Sequence, residues 1–367
     1  MVMDWRDRWR GWRNGLIGDP AFQRWGARFP LTRPIAQRRA QALFDLSAGF
    51  VYSQVALAFV QAGLLDRLAT GPTAVADVAA EIDLSPAAAE RLLKAGTALK
   101  LAELCGDGRY ALGTEGAALR GAPGVAAMIS HHALLYADLA DPLALLRRGG
   151  GGGRLSGYWP YAEDHGGDGG TATDTYSALM ADSQAMVSAQ ALDAYPMTRH
   201  RYLLDLGGGD GTFLRAVAQR APALGLGLFD LPAVAARAHE RFESDGMSVA
   251  VTGGSFFDDP LPKGADVMSL IRVLHDHDDD RVMVLLRAVR QALPSDGTLL
   301  IAEPMSGTRG AEQMGDAYFG MYLLAMGSGR PRTVREIRSM LRTAGFSRSA
   351  QAPTAMPLIA SVVVAHA

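Results

Sequence analysis

The stretch LLDLGGGDGTFL, residues 203–214, constrains the fold more than any other part of the chain. It is an apolar run, then a glycine turn holding an acid, then a helical pattern. Leu203, Leu204 and Leu206 suit a strand buried on both faces, as in a parallel sheet. Gly207, Gly209 and Gly211 let backbone approach a ligand where a Cβ would obstruct it. Downstream, strand-like runs at 201–206, 225–229, 248–252, 265–271 and 298–303 alternate with helical patterns at 211–221, 232–243 and 279–293. That alternation predicts an α/β domain with a mainly parallel sheet whose ligand lies at the carboxyl ends of the strands.

The charges in the turn narrow the ligand. A dinucleotide site offers a pyrophosphate a helix N-terminus with spacing GxGxxG and no acid inside the turn. Here Asp205 ends the strand and Asp210 sits in the turn, which disfavours a pyrophosphate and favours a cationic ligand. S-adenosylmethionine carries such a cation. Asp230, in FDLP about 20 residues after the turn, stands where an acid can accept from a ribose hydroxyl. It serves a nicotinamide dinucleotide equally well.

At 367 residues the chain exceeds one ordinary domain, and its formal charge of -2 provides no field for gathering nucleic acid. The single cysteine, Cys105, excludes an internal disulfide and fits a reducing cytoplasm, and no His/Cys spacing suggests a metal site. Residues 1–40 form a distinct Trp/Arg-rich arm without the pattern of a signal peptide. Trp5, Trp9 and Trp12 fall on one helical stripe, with Arg6, Arg10 and Arg13 beside it. Such a helix either packs its tryptophans on a partner domain or lies peripherally on an anionic membrane such as the inner membrane, in an otherwise cytoplasmic protein. The uncharged run 46–65 is long enough to span a bilayer, but its serines, glutamines and glycines favour a helix enclosed between subunits. Residues 73–120 read as helix, turn, helix and hairpin, a winged helix. Its second helix is too poor in basic residues for a DNA-binding regulator. A glycine-rich stretch, 147–170, marks the border between a helical domain over 41–170 and the cofactor domain over 171–367.

In LIRVLHDHDDDRV, His275 lies just past an apolar strand, with Asp276 beside it. Imidazole is the side chain best matched to accepting a proton near neutral pH, and a carboxylate can orient it and raise its basicity.

Taken together, LLDLGGGDGTFL, FDLP, GGSFF, LIRVLHDHDD, IAEPM and RPRTVREIRSMLRTAGF, in this order behind a winged-helix half, resemble the S-adenosylmethionine-dependent O-methyltransferases of the plant caffeate and acetylserotonin type. The segment FQRWGARFPLTRPIAQRRAQALFDLSAGFVYSQV resembles a narrower branch, the bacterial methyltransferases of acyclic 1-hydroxycarotenoids such as demethylspheroidene and hydroxyneurosporene. The resemblance implies a Rossmann-like class I methyltransferase domain and an intertwined homodimer. It makes Gly207–Gly209 the cofactor turn, with Asp205, Asp230, Leu231, Ser255, Phe256 and Arg272 around the cofactor. His275 becomes the proton acceptor, flanked by Glu303. Three positions depart from the pattern: Ser255 replaces a common Asp, His277 a common Trp, and Pro331 a second flanking Glu.

A carotenoid acceptor implies a long apolar tunnel, for which Met180, Met321, Tyr322 and Met326 are candidates, with Met314 and Leu324 near them. An aliphatic alcohol is a far weaker acid than imidazolium, so His275 must take the proton as the C–O bond develops. An aromatic or polyketide phenol as acceptor, or C-methylation of a tetrapyrrole, are the alternatives within catalysis.

Overall fold

A computed structural model describes residues 4–158 and 184–367, which divide into two compact units, Met1–Arg120 and Gly121–Ala367. The candidate tunnel residue Met180 lies outside the described residues.

The first unit is helical apart from one hairpin. It runs α1 (Trp5–Gly18), α2 (Pro20–Arg28), α3 (Arg33–Gln61), α4 (Leu64–Ala69), α5 (Val75–Glu81), α6 (Pro86–Ala98), β1 (Ala102–Leu104), β2 (Tyr110–Leu112) and α7 (Thr114–Arg120). Ser85 caps α6 by accepting from the Ala88 N–H at 3.2 Å, and Pro86 supplies the preset φ of a first turn. Gly108, at φ +82°, closes the antiparallel β1–β2 hairpin. Helix, helix and wing therefore form as the sequence predicts. Phe59, Leu64, Leu68, Val78, Leu93 and Tyr110 make the core of this unit.

The uncharged run 46–65 is not one helix. Gly63 takes a left-handed φ of +65°, which ends α3 and starts α4. α3 remains the one helix among the described residues long and apolar enough to cross a bilayer by length and composition. Only Leu57 and Phe59 of α3 are buried within the chain, while Leu43, Phe44, Leu46 and Phe50 are exposed. The expected enclosure on all sides is thus absent from a single chain.

The second unit opens with α8 (Pro123–Asp138), α9 (Pro142–Arg147), α10 (Arg154–Tyr158) and α11 (184–194). The sheet follows: β3 (Tyr202–Leu206), α12 (Thr212–Arg220), β4 (Gly225–Asp230), α13 (Pro232–Ser244), β5 (Ala250–Gly253), β6 (Val267–Ile271), α14 (Asp279–Ala292) and β7 (Thr298–Glu303). A π-helical segment, Gln313–Phe319, runs into α15 (Gly320–Met326), and α16 (Val334–Thr343), β8 (Arg348–Ala352) and β9 (Ser361–His366) complete the chain. Because α8 and α10 pack on α15, the chain divides at 120/121, about fifty residues before the border expected from the glycine-rich stretch.

Strand order is β5-β4-β3-β6-β7-β9-β8, with β9 antiparallel to both neighbours and all other pairs parallel. Successive residues point to opposite faces, so Leu204, Leu206, Leu285 and Ile301 fill one layer while Leu203, Phe213, Val217 and Leu300 fill the other. From β3 the chain goes to β4 on one side, and later to β6 on the other. The carboxyl ends of β3 and β6 therefore border a topological switch point, the usual ligand crevice of such sheets.

Candidate active site

The glycine turn leaves β3 at this crevice. Gly207, Gly209 and Gly211 all have positive φ, and a Cβ on Gly211 would meet the Phe242 ring at 2.1 Å. A Cβ on Gly208 would sit 2.5 Å from Asp205 Oδ2. Only glycine follows this path without strain, and it leaves backbone N–H groups at the strand end.

Asp205 is buried; its Oδ1 accepts a 2.6 Å hydrogen bond from Ser269 on β6, and its Oδ2 has no partner. Burial, reinforced by the nearby Asp230 and opposed by the Ser269 hydrogen bond, pushes this carboxyl up to about 7. A buried acceptor left open needs a donor from a ligand. Asp230 ends β4, accepting from the Gly209 N–H at 2.8 Å and the Leu231 N–H at 2.7 Å. Burial pushes it up to about 6, against the pull of those two N–H groups. The side chain of Leu231 is exposed beside it. An orphaned buried carboxylate oxygen, a second acid and a cradle that a Cβ would fill fit the ammonium and ribose of S-adenosylmethionine.

Asp210 does not share that role. It accepts from the Thr212 N–H and hydroxyl and from the guanidiniums of Arg215 and Arg241. Two cations neutralise it, so the acid expected to greet a cationic ligand belongs to the start of α12 instead.

Ser255 and Phe256 follow β5. The Ser255 N–H donates to Asp259 and its hydroxyl to Asp258, both at 2.8 Å, so its own acids tie it down. Phe256 packs edge-on against His277, with ring centroids 5.7 Å apart. Arg272 leaves β6 at φ +59°, an unusual conformation for a non-glycine residue, and its N–H donates to Ala302 on β7 at 2.8 Å.

His275 sits in a short 3₁₀ turn after β6, 4% exposed. Its Nε2 lies 3.2 Å from Asp276 Oδ1; its Nδ1 lies 3.4 Å from Glu303 Oε2, a charge contact without hydrogen-bond alignment. Glu303, fully buried at the end of β7, also accepts from the His275 backbone N–H at 3.2 Å. Burial alone would push the imidazole down, but Asp276 and Glu303 outweigh it and hold the ring above its ordinary value. Burial raises Asp276 too, against the opposing charges of His275 and Arg272. The structure thus brings together His275, Asp276 and Glu303, as the sequence predicts. His277 differs: burial and the positive charge of Arg281 push it down to about 4, leaving it neutral in an aromatic nest with Phe256 and Phe257.

Arg332 was not foreseen. Fully buried, it donates to the Leu274 carbonyl at 2.7 Å and the His277 carbonyl at 2.6 Å, bracketing His275, and to Asp279 at 2.9 Å. No spacing in RPRT announces this. Neighbouring Pro331, half-buried, offers no carboxylate, so Arg332 fixes the backbone of the turn rather than the ring. Ser269, a polar residue inside an apolar strand, was the one legible clue to the partner of Asp205.

Of the tunnel candidates, Tyr322 and Met326 are buried and Met321 is half-buried, in a cluster with Leu135, Leu145 and Leu155. Met314 and Leu324 are half-buried. Among the described residues no group of His, Cys, Asp and Glu could hold a metal ion.

Residues 157–347 match the O-methyltransferase domain family, and residues 44–119 the O-methyltransferase dimerisation domain. The chain is 43% identical to demethylspheroidene O-methyltransferase of Cereibacter sphaeroides, covering 95% of this chain and 93% of that protein. It is 31% identical to acetylserotonin O-methyltransferase of Mus musculus over 85% of each. Human N-acetylserotonin methyltransferase, solved in complex with S-adenosylmethionine, superposes with a TM-score of 0.72 at 25% identity, covering 89% of this chain and 97% of that one.

Proposed function

The chain belongs to the S-adenosylmethionine-dependent O-methyltransferase family, and from that premise we propose that it methylates the tertiary hydroxyl of an acyclic 1-hydroxycarotenoid, with His275 as general base. The observation that carries the acceptor class is the 43% identity to a demethylspheroidene O-methyltransferase across 95% of the chain.

S-adenosylmethionine supplies a methyl carbon activated by its sulfonium. The Gly207–Gly209 turn, Asp205 and Asp230 would hold it, with Leu231, Ser255, Phe256 and Arg272 around them. His275 takes the proton of the acceptor hydroxyl, and Asp276 and Glu303 stabilise the imidazolium that results. Nδ1 is buried beside the fully buried Glu303, whereas the Asp276 side chain next to Nε2 keeps 20% of its surface exposed. The acceptor oxygen therefore meets the ring at its Nε2 edge. Met321, Tyr322 and Met326 belong to the apolar wall along which a long acceptor would lie.

The unit is a homodimer through the dimerisation domain, whose exposed apolar α3 face awaits a second copy. The arm outside that domain match has a different partner. Residues 1–40 hold nine arginines against three aspartates, a net of +6 in a chain of net -2, together with four of its five tryptophans. Trp5, Trp9 and Trp12 on α1 are each at least half exposed, and no residue of α1 is buried. Arginines beside exposed tryptophans suit the headgroup layer of an anionic membrane, which also stores a lipophilic acceptor. The enzyme is thus cytoplasmic and peripheral at the inner membrane. Co-sedimentation with anionic vesicles, lost at high salt and in a Trp5/Trp9/Trp12→Ser variant, checks this; no preference for anionic over neutral vesicles refutes it.

The reaction is tested by supplying methyl-labelled S-adenosylmethionine with a panel of a 1-hydroxycarotenoid, a catechol and a polyketide phenol. Label enters the carotenoid, and His275→Ala loses roughly 10²–10⁴ in rate, the range of a general base. Label on a phenol alone refutes the acceptor class, and a fully active His275→Ala refutes the base.

A further inference from the structure

Four polar side chains outside the catalytic trio meet in the apolar wall next to it. α8 contributes the adjacent His131 and His132; the π-helical segment and α15 contribute Tyr318 and Tyr322, spaced i and i+4 on one helical face. His131 Nε2 lies 2.9 Å from the Tyr322 hydroxyl, and His132 Nε2 lies 2.7 Å from the Tyr318 hydroxyl. The two phenol rings stack with centroids 5.8 Å apart. Phe319 stands against both, at 5.0 Å from Tyr318 and 6.3 Å from Tyr322, and its ring lies 5.9 Å from the imidazole of His275. An unbroken series of rings therefore runs from α8 to the base.

Packing alone does not require this chemistry. Leucines surround the pairs, and an all-apolar contact between α8 and α15 would bury no polar group. Burial pushes His131 down to about 4 and His132 down as well, so both rings are neutral near pH 7 and pair with the phenols by directional hydrogen bonds. Such bonds fix a register that leucine contacts leave free to slide. The segment whose register they fix is π-helical, a form that inserts a residue into a turn and collects at functional sites. Phe319, the residue facing His275, is the last residue of that segment.

We propose that the His131–Tyr322 and His132–Tyr318 pairs form a latch that seats Phe319 over His275, keeping water off the imidazole so that the acceptor hydroxyl is its proton partner. The four latch side chains are positioning residues acting through Phe319. The effect on rate rests on His275 being the base; the seal itself does not.

The experiment therefore has two readouts. In the full-length enzyme, the rate at which diethyl pyrocarbonate modifies His275, followed by peptide mass, reports the seal without reference to activity. The Tyr318→Phe/Tyr322→Phe variant keeps both rings and loses both hydrogen bonds; its His275 modification rises about tenfold toward that of Phe319→Ala, as expected from two ordinary hydrogen bonds. In methyl transfer, the same variant lowers kcat with cofactor affinity unchanged, and adding Phe319→Ala lowers it no further, because both changes act through one ring. His132→Gln, which can still bond to Tyr318, retains the wild-type values; His132→Leu does not. Unchanged modification in the double tyrosine variant, or full additivity with Phe319→Ala, overturns the latch. An active His275→Ala would instead remove the base, and the modification rates would still decide the latch.

Discussion

Replacing Arg332 with Met tests how the catalytic turn is held. The guanidinium bonds the carbonyls on either side of His275, from Leu274 and His277, and pairs with Asp279. A methionine of similar volume fills the space but leaves the His277 carbonyl without this donor, at a cost of about 1–3 kcal/mol, and the Leu274 carbonyl with only the 3.3 Å bond from the His277 N–H. The Asp279 contribution is small, because that side chain is half-exposed and keeps Arg330 as a partner, an arrangement worth little at a surface. Methionine packing offsets part of the loss, leaving about 1–3 kcal/mol and a fall in Tm of roughly 2–12 °C for a unit of this size. A turn freed on both sides also lets His275 drift, and a displacement of about 1 Å costs roughly 10²-fold in rate. Scanning fluorimetry gives the first quantity and single-turnover methyl transfer the second. Titration with the demethylated cofactor supplies the control, since the hydrogen-bond partners of the Arg332 guanidinium lie in 274–279 and not in the glycine turn. Tm and kcat should fall together with cofactor affinity unchanged. A lowered Tm with unchanged kcat would refute the positioning role, and a parallel loss of cofactor affinity would show that the whole rim had collapsed.

Two further outcomes follow from the charges. Because Asp276 and Glu303 hold His275 above its ordinary value, the acid limb of kcat/KM should lie above about 6.5, and Glu303→Gln should move it downward; an unmoved limb in that variant would remove Glu303 from the site. The same ion pairs stabilise the fold while the imidazole is protonated, and that contribution fades as pH rises through the raised value. Asp205 and Asp230, pushed up to about 7 and about 6, bind protons in the folded cofactor-free enzyme that the unfolded chain releases. Their contribution to stability should therefore be lost as pH rises from about 4 to 7, read as the difference from Asp205→Asn because His131 and His277, pushed down to about 4, act in the opposite sense, and binding of the cationic cofactor near pH 6 should release protons, seen as a buffer-dependent enthalpy in calorimetry. Proton uptake would contradict the assignment.

How much of this was legible in the sequence depended on whether the signal was local. The glycine turn, Asp230 at the end of β4 and His275 past β6 follow from apolar runs that end where strands end. Ser85 and Pro86 likewise announce α6 by their own chemistry. The β8–β9 hairpin was not read, since β8 (RSAQA) is a polar edge strand and β9 inserts against chain order between β7 and β8. Arg332 escaped because its role comes from carbonyls more than fifty residues away. His131 and His132 escaped for the same reason: nothing in ISHHALLY indicates that tyrosines nearly two hundred residues later turn toward them. Asp210 was misread for the opposite cause. Its position in the turn was plain, but of the two cations that neutralise it Arg215 comes within reach only once α12 has formed, and Arg241, on α13, only in the folded domain.

That misreading relocates the selection of a cationic ligand. Of the three acids around the turn, Asp210 is spent on two guanidiniums and the first turn of α12, and Asp230 on two backbone N–H groups. Asp205 alone keeps a buried oxygen without a partner, in surroundings where its ionisation is disfavoured unless a cation or donor arrives. Preference for a positively charged cofactor must then reside chiefly in Asp205. Asp205→Asn, whose amide can still pair with Ser269, should weaken cofactor binding by about tenfold or more, the worth of a hydrogen bond to a charged group. Asp210→Asn, which retains the cap on Thr212, should lower Tm through its lost ion pairs while leaving cofactor affinity within about twofold. Calorimetry on the two variants side by side decides the matter: a larger loss of affinity in Asp210→Asn would return the recognition to the turn and undo the assignment to the strand end.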